Sequence, residues 1–199
     1  MSDNGTRLNL QKTAILLLEP NPQNMAILCQ VLAGFGGKVF HRCATIEEAR
    51  KMAEALPVEL VIADGQSPKG EPLGYDFVKW LRHSDLEPNA YTPAILTSAH
   101  SSVGNVARAR DCGAHFVIAK PIVPGVLFDR VMWVARENRR FVNAGDYAGP
   151  DRRFKNVGPP KGLEGRRAGD LKGDVPPPSE PNMSQEQIDA LLQPTRAAL

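Results

Sequence analysis

The sequence predicts an α/β fold built on a parallel sheet with helices on both faces. Three observations lead there. Five short apolar runs alternate with stretches whose apolar residues recur at helical spacing. The first of them, TAILLL, is an apolar run rather than an alternating one, as a strand covered on both faces is. The charged and hydroxyl residues cluster just after the runs, where an open parallel sheet collects its functional groups. With 199 residues, 42% of them hydrophobic, the chain has enough material for one ordinary core and sequence to spare.

The first strand is Thr13 to Leu18, bounded by the turn Glu19-Pro20-Asn21-Pro22. Met25, Leu28, Cys29, Val31 and Leu32 then mark a helix with Asn21 as N-cap, Pro22 at its first position and Gly36-Gly37 at its stop. Val39 to Cys43 reads as the second strand, and Thr45-Ile46-Glu47-Glu48 as a capping box opening a helix to about Leu56. The third strand, Val58 to Ala63, ends on Asp64. A loop rich in Gly and Pro precedes a helix over Tyr75 to Arg82, with Phe77, Val78, Trp80 and Leu81 at helical positions. Pro93 to Thr97 is the fourth strand, followed by a helix capped by Ser101 or Ser102 and stopped at Gly113. His115 to Ala119 is the fifth strand, and a last helix runs from Val126 to about Arg140.

Residues 1–11 are polar and read as a flexible N-terminus ahead of a domain spanning 12–140. They lack the basic-then-apolar pattern of a signal peptide, and no apolar run approaches the roughly 20 residues of a membrane span. A cytoplasmic protein without membrane contact is expected. The balance of 24 Lys and Arg against 22 Asp and Glu, net +2, gives no whole-chain field directed at DNA. Cys29, Cys43 and Cys112 form no Cys-x-x-Cys pair and read as small core residues of a reducing compartment. His41, His83, His100 and His115 show no ligand spacing, and Trp80 and Trp133 fit packing positions.

After Phe141 the composition changes, with eight prolines and seven glycines in the remaining chain. So little apolar surface cannot offset ordering entropy, so 141–183 reads as a disordered linker. The pairs Arg152-Arg153 and Arg166-Arg167 within it read as solvated charge. Residues 184–193 differ: Ile188, Leu191 and Leu192 lie at i, i+3 and i+4 behind a Ser184/Gln187 capping box, forming a short amphipathic helix closed by Pro194. Residues 194–199 read as a flexible end.

The groups after the strands are Glu19, Asp64, Ser98-Ala99 and Lys120-Pro121. Their order, with Pro68 four residues beyond Asp64 and the run Gly74-Tyr75-Asp76-Phe77, resembles the receiver family of response regulators, to which the chemotaxis regulator CheY belongs. The resemblance covers about 130 residues. It implies a flavodoxin-like (βα)5 receiver with sheet order 2-1-3-4-5. It implies Asp64 as phosphoacceptor, Ser98, Ala99 and Lys120 as phosphoryl-binding residues, and Lys120-Pro121 joined by a cis peptide. Mg²⁺ would be held by Glu19, Asp64 and the backbone carbonyl of Gln66. Two departures stand out. The second acidic position after the first strand is Pro20, which weakens Mg²⁺ binding, and the aromatic position three residues before the lysine is Val117. Phe116 is adjacent but on the opposite strand face.

Residues 184–192 are similar to the receiver-binding peptide of the flagellar motor switch protein FliM. The resemblance implies a helix that docks on a receiver face, either this chain's own or another's. The linker's reach of about 35 Å allows self-docking. The expected function is a stand-alone two-component receiver that works by protein contact, switched at Asp64, in chemotaxis or motility. The implied partners are a histidine kinase or phosphotransfer protein, another receiver and flagellar motor components. A pseudo-receiver scaffold controlled by the tail peptide is the alternative. An enzyme is not expected: a flavodoxin-like nucleotide binder is disfavoured because Glu19-Pro20-Asn21-Pro22 lacks phosphate-cradling glycines.

Overall fold

The computed structural model describes residues 10–100, 102–136, 140–151 and 184–192, with side chains as far as Ile188 in the last segment. Five strands, β1 (Ala14–Leu18), β2 (Val39–Cys43), β3 (Leu60–Asp64), β4 (Ala94–Ser98) and β5 (Phe116–Ala119), form one parallel sheet in the order β2-β1-β3-β4-β5. The predicted class and strand order are both observed. Helices α1 (Pro22–Gly34), α2 (Ile46–Ala55), α3 (Gly74–Arg82), α4 (Val103–Asp111) and α5 (Pro124–Arg136) connect or follow the strands.

Strand pleating divides the core in two. Leu16, Leu18, Val61, Ala63, Leu96 and Val117 face α2, α3 and α4, whose Ala49, Phe77, Val78, Val106 and Ala109 are buried there. Ile15, Leu17, Ile62, Ile95, Phe116 and Ile118 face α1 and α5 through Leu28, Leu32, Leu127 and Val131. This two-sided burial explains the unbroken apolar runs of β1 and β5 and of the first four residues of β3, whereas the edge strand β2 carries His41 and Arg42. Val117 and Phe116 therefore serve opposite faces, and Phe116 packs edge-on against Trp133 at 4.7 Å. The three cysteines are free and buried.

Local chemistry starts the helices where expected. Asn21 Oδ1 accepts the amides of Gln23 and Asn24 at 2.9 and 3.1 Å, with Pro22 at the first helical position. Thr45 accepts from Glu48 N, and the Glu48 carboxylate accepts from Ala44 N at 2.7 Å. Ser102, not Ser101, caps α4 by accepting from Asn105 N.

Some boundaries differ from expectation. Leu10, assigned to the flexible N-terminus, is buried in the α1/α5 core, and its carbonyl accepts from Thr13 N. Helix α5 is described from Pro124 to Arg136, two residues earlier at its start than expected, and its expected continuation toward Arg140 falls on 137–139, outside the described residues. The segment read as linker from Phe141 begins instead with an antiparallel hairpin, β6 (Phe141–Ala144) and β7 (Tyr147–Pro150).

The hairpin has a local cause and a tertiary anchor. Gly145, at φ +61°, occupies the first of two loop positions, where positive φ suits a two-residue hairpin turn. Phe141 packs on Tyr91 and His115 and under the Arg82 guanidinium, while Ala148 is buried and Gly149 lies against Gly113. Arg82 is itself buried and donates to the carbonyls of Gly113, Ala90 and Thr92 at 3.0, 2.8 and 2.7 Å. Burial pushes its pKa down to about 10. Composition concealed this element because its strands contain only four residues each and depend on a seat made by Arg82 of α3, Tyr91, Gly113 and His115. The rest of the expected linker, 152–183, lies outside the described residues.

The last helix, α6 (Gln185–Leu192), forms where its periodicity placed it. Its capping box is reciprocal: Ser184 N donates to Gln187 Oε1 at 2.8 Å and Gln187 N to Ser184 Oγ at 3.3 Å. It packs against β5 and α4.

Candidate functional site

Parallel register brings the predicted residues to one edge. Leu18 pairs with Ala63, Asp64 with Thr97 and Ser98 with Ala119, so Glu19, Asp64, Ser98 and Lys120 leave the sheet side by side. Backbone bonds fix the exits: Gly65 N donates to Thr97 O at 2.8 Å and Lys120 N to Ser98 O at 2.8 Å. Gly74 lets the start of α3 press on β3, since a Cβ there would lie 2.5 Å from Asp64 O.

Lys120 Nζ bridges two carboxylates, 2.6 Å from Asp64 Oδ2 and 2.7 Å from Glu19 Oε2. The other Glu19 oxygen accepts from Asn21 N at 2.9 Å, so Glu19 is held at both ends and only 4% exposed. Burial raises the Asp64 pKa, and the neighbouring ammonium offsets this only in part. For Lys120, burial lowers the pKa, but the bonds and charges of Asp64 and Glu19 outweigh it and the net shift is upward. Asp64 is thus an ionisable carboxylate beside a committed cation.

Ser98 is buried; its hydroxyl donates to His100 O at 2.8 Å and accepts from His100 N at 3.2 Å. Asn105 Nδ2 also donates to His100 O, at 2.7 Å. The hydroxyl is thereby tied into the loop between β4 and α4. Ala99 is exposed beside it, and the Lys120-Pro121 peptide is cis.

The donor set for Mg²⁺ is Asp64, Glu19 and the Gln66 carbonyl, with no third carboxylate: among the described residues no group of three His, Cys, Asp or Glu could hold a metal. One or two carboxylates with several waters suit Mg²⁺. The fit is therefore that of a water-rich site, with Glu19 already engaged by Lys120 and Asn21.

The edge of β5 is the second candidate surface. Gln185 Oε1 accepts from Ala119 N at 3.0 Å and Gln185 Nε2 donates to Val117 O at 3.1 Å. One side-chain amide thus satisfies outward peptide groups on a strand edge that has no further strand beside it among the described residues. Ile188 is fully buried in the same cluster as Val106, Ala109 and Val117. Ser184 caps from the exposed side; the side chains of Leu191 and Leu192 lie outside the described residues. Hydrophobic periodicity located Ile188 but missed Gln185, a polar residue whose value depends on where the sheet ends. Asn105 also escaped sequence reasoning, because it ends no strand.

An α/β domain with a lysine-bridged carboxylate pair at the carboxyl edge of its sheet has the form of a signal receiver. A family model for the response regulator receiver domain matches residues 15–132, and the chain belongs to that family. It is similar to a putative response regulator from Chloroflexus aurantiacus, with 26% identity and a TM-score of 0.55, covering 63% of this chain and 98% of that one. A signal receiver domain of a histidine kinase from Syntrophus aciditrophicus is 26% identical, with a TM-score of 0.54 and coverage of 67% and 98%. The chemotaxis response regulator CheY4 of Vibrio cholerae shares the fold at 20% identity and a TM-score of 0.54, covering 61% and 98%. No curated protein sequence matches the chain significantly. No helix among the described residues is long and apolar enough to cross a membrane.

Proposed function

We propose that this receiver is switched by phosphorylation of Asp64 and acts through protein contacts at the surface formed by α4 and β5. The observation that carries the reading is Lys120 Nζ lying 2.6 Å from Asp64 Oδ2 with Glu19 behind it. In the proposed step, an Asp64 oxygen attacks the phosphorus of a phosphohistidine on a kinase or phosphotransfer protein. An O–P bond forms, the N–P bond breaks, and the imidazole leaves with the bonding pair. Lys120 neutralises the added charge, Ser98 turns its hydroxyl from His100 to a phosphoryl oxygen, and Ala99 leaves room for the group. Asp64, the Gln66 backbone carbonyl and Glu19 would hold Mg²⁺, which would supply further positive charge when bound.

Helix α6 occupies the output surface in cis, so its release is the proposed readout of modification. The similarity of 184–192 to a flagellar switch peptide supports a setting in motility, with flagellar motor components or another receiver as competitors for the surface. A phosphorylation-independent scaffold is the second reading, favoured by one observation: Pro20 stands where a second carboxylate would be. The test is incubation with a small phosphodonor and Mg²⁺, followed by intact-mass measurement. A single phosphoryl gain that hydroxylamine removes and Asp64→Asn abolishes supports the switch. An unmodified wild type leaves the scaffold.

A further inference from the structure

We propose that Asn105 is the positioning residue through which a change at Ser98 reaches α4 and the docked tail. The inference rests on the reading of Asp64 as phosphoacceptor and names the side chain that links that event to the output surface.

Asn105 is the third residue of α4 and only 9% exposed. Its backbone amide donates to Ser102 Oγ at 3.3 Å, which fixes the backbone within the first turn. Its side chain turns back toward the charged edge: Nδ2 donates to His100 O at 2.7 Å and lies 3.5 Å from Gln66 Oε1. Both of these oxygens can only accept, which settles the orientation of the amide. One side chain of α4 thus meets the loop after β3 and the loop after β4.

The His100 peptide is held from two sides. Ser98 Oγ, at the end of β4, donates to its carbonyl at 2.8 Å and accepts from its amide at 3.2 Å, while Asn105 holds the same carbonyl from α4. When the Ser98 hydroxyl turns to a phosphoryl oxygen, it gives up both bonds to His100 and the carbonyl keeps only Asn105 of the two. The loop then moves with α4 rather than with β4, because a buried carboxamide that also released His100 would leave an N–H unpaired. The next residue, Val106, is buried and packs with Ala109, Val117 and the tail's Ile188 in one cluster. A shift in the first turn of α4 therefore reaches the seat of α6 through the residue that follows Asn105.

The test compares the full-length wild type with Asn105→Asp and Asn105→Ala. The aspartate keeps the shape, removes the donor and is favoured in the first turn of a helix, whereas the alanine removes the group without adding charge. All three proteins are treated with a small phosphodonor and Mg²⁺ while intact mass reports phosphorylation and the Ile188 methyl resonances report the seat of α6. The expected result is phosphorylation of both variants within about threefold of wild type, Ile188 resonances that match wild type before treatment, and an Ile188 shift on phosphorylation less than about a third of the wild-type shift. An equal shift in the wild type and either variant overturns the positioning role and leaves phosphorylation standing. Ile188 resonances already displaced in the unmodified variants overturn it as well, because they mark a merely structural role. So does a loss of phosphorylation confined to the variants, which places Asn105 in the chemistry itself, and so does a phosphorylated wild type with no Ile188 shift. A wild type that takes up no phosphoryl group removes the reading of Asp64, and this inference with it.

Discussion

Gln185 Oε1 accepts the amide of Ala119 at 3.0 Å, one residue before the lysine that bridges Glu19 and Asp64. The tail helix and the charged site thus share a strand end. Whatever moves Lys120 acts on the peptide that holds α6, and whatever removes α6 exposes the edge of β5.

The docked tail makes the first prediction. Burying Ile188 contributes about 2 kcal/mol, and each Gln185 bond about 1 kcal/mol. Ile188→Ala and Gln185→Ala each lower stability by about 1–2 kcal/mol. Their double variant falls well short of additivity, because once α6 leaves nothing more is lost. Chemical denaturation measures the cost, and amide exchange at Ala119 accelerates in all three variants.

The carboxylate pair makes the second. Asp64 has a raised pKa even with Lys120 beside it, so its stability contribution is full below the ordinary value of 3.8 and lost as pH rises through the folded value. Asp64→Asn is therefore more stable than wild type at neutral pH, and the gain disappears in acid. Lys120→Met costs about 3 kcal/mol by leaving two buried carboxylates without their cation. Because the Lys120 pKa is raised, its contribution is full below 10.5 and lost above the folded value. Lys120→Met lacks that alkaline loss. Thermal midpoints from pH 3 to about 11 check both signs.

The hairpin makes the third. Arg82→Met strips donors from three carbonyls and costs about 3 kcal/mol or more. Gly113→Ala is also destabilising: Gly113 sits at φ +89°, and a Cβ there would lie 2.5 Å from Ala148 O. In both variants the amides of 141–150 exchange faster than those of β1 and β3, which shows that the hairpin detaches before the sheet does.

Metal affinity makes the fourth. Pro20→Asp restores a second carboxylate beside Glu19 and tightens Mg²⁺ binding about tenfold or more, read from amide shifts at Asp64 and Gln66 during titration. An unchanged affinity places the weakness elsewhere, in the engagement of Glu19 by Lys120 and Asn21.

The sequence by itself determined the five strands, their helices and caps, and the placing of Glu19, Asp64, Ser98 and Lys120 at strand ends, because burial on both faces and side-chain capping act over a few neighbouring residues. It also marked 184–192 as a helix, through Ile188 and the Ser184/Gln187 box. Only the tertiary structure decided what those pieces touch. Gln185 matters because β5 is an edge among the described residues, and the hairpin at 141–150 because Arg82 and Gly113 leave it a seat. Each is a contact between residues distant in the chain, set by how packed layers meet rather than by any local pattern.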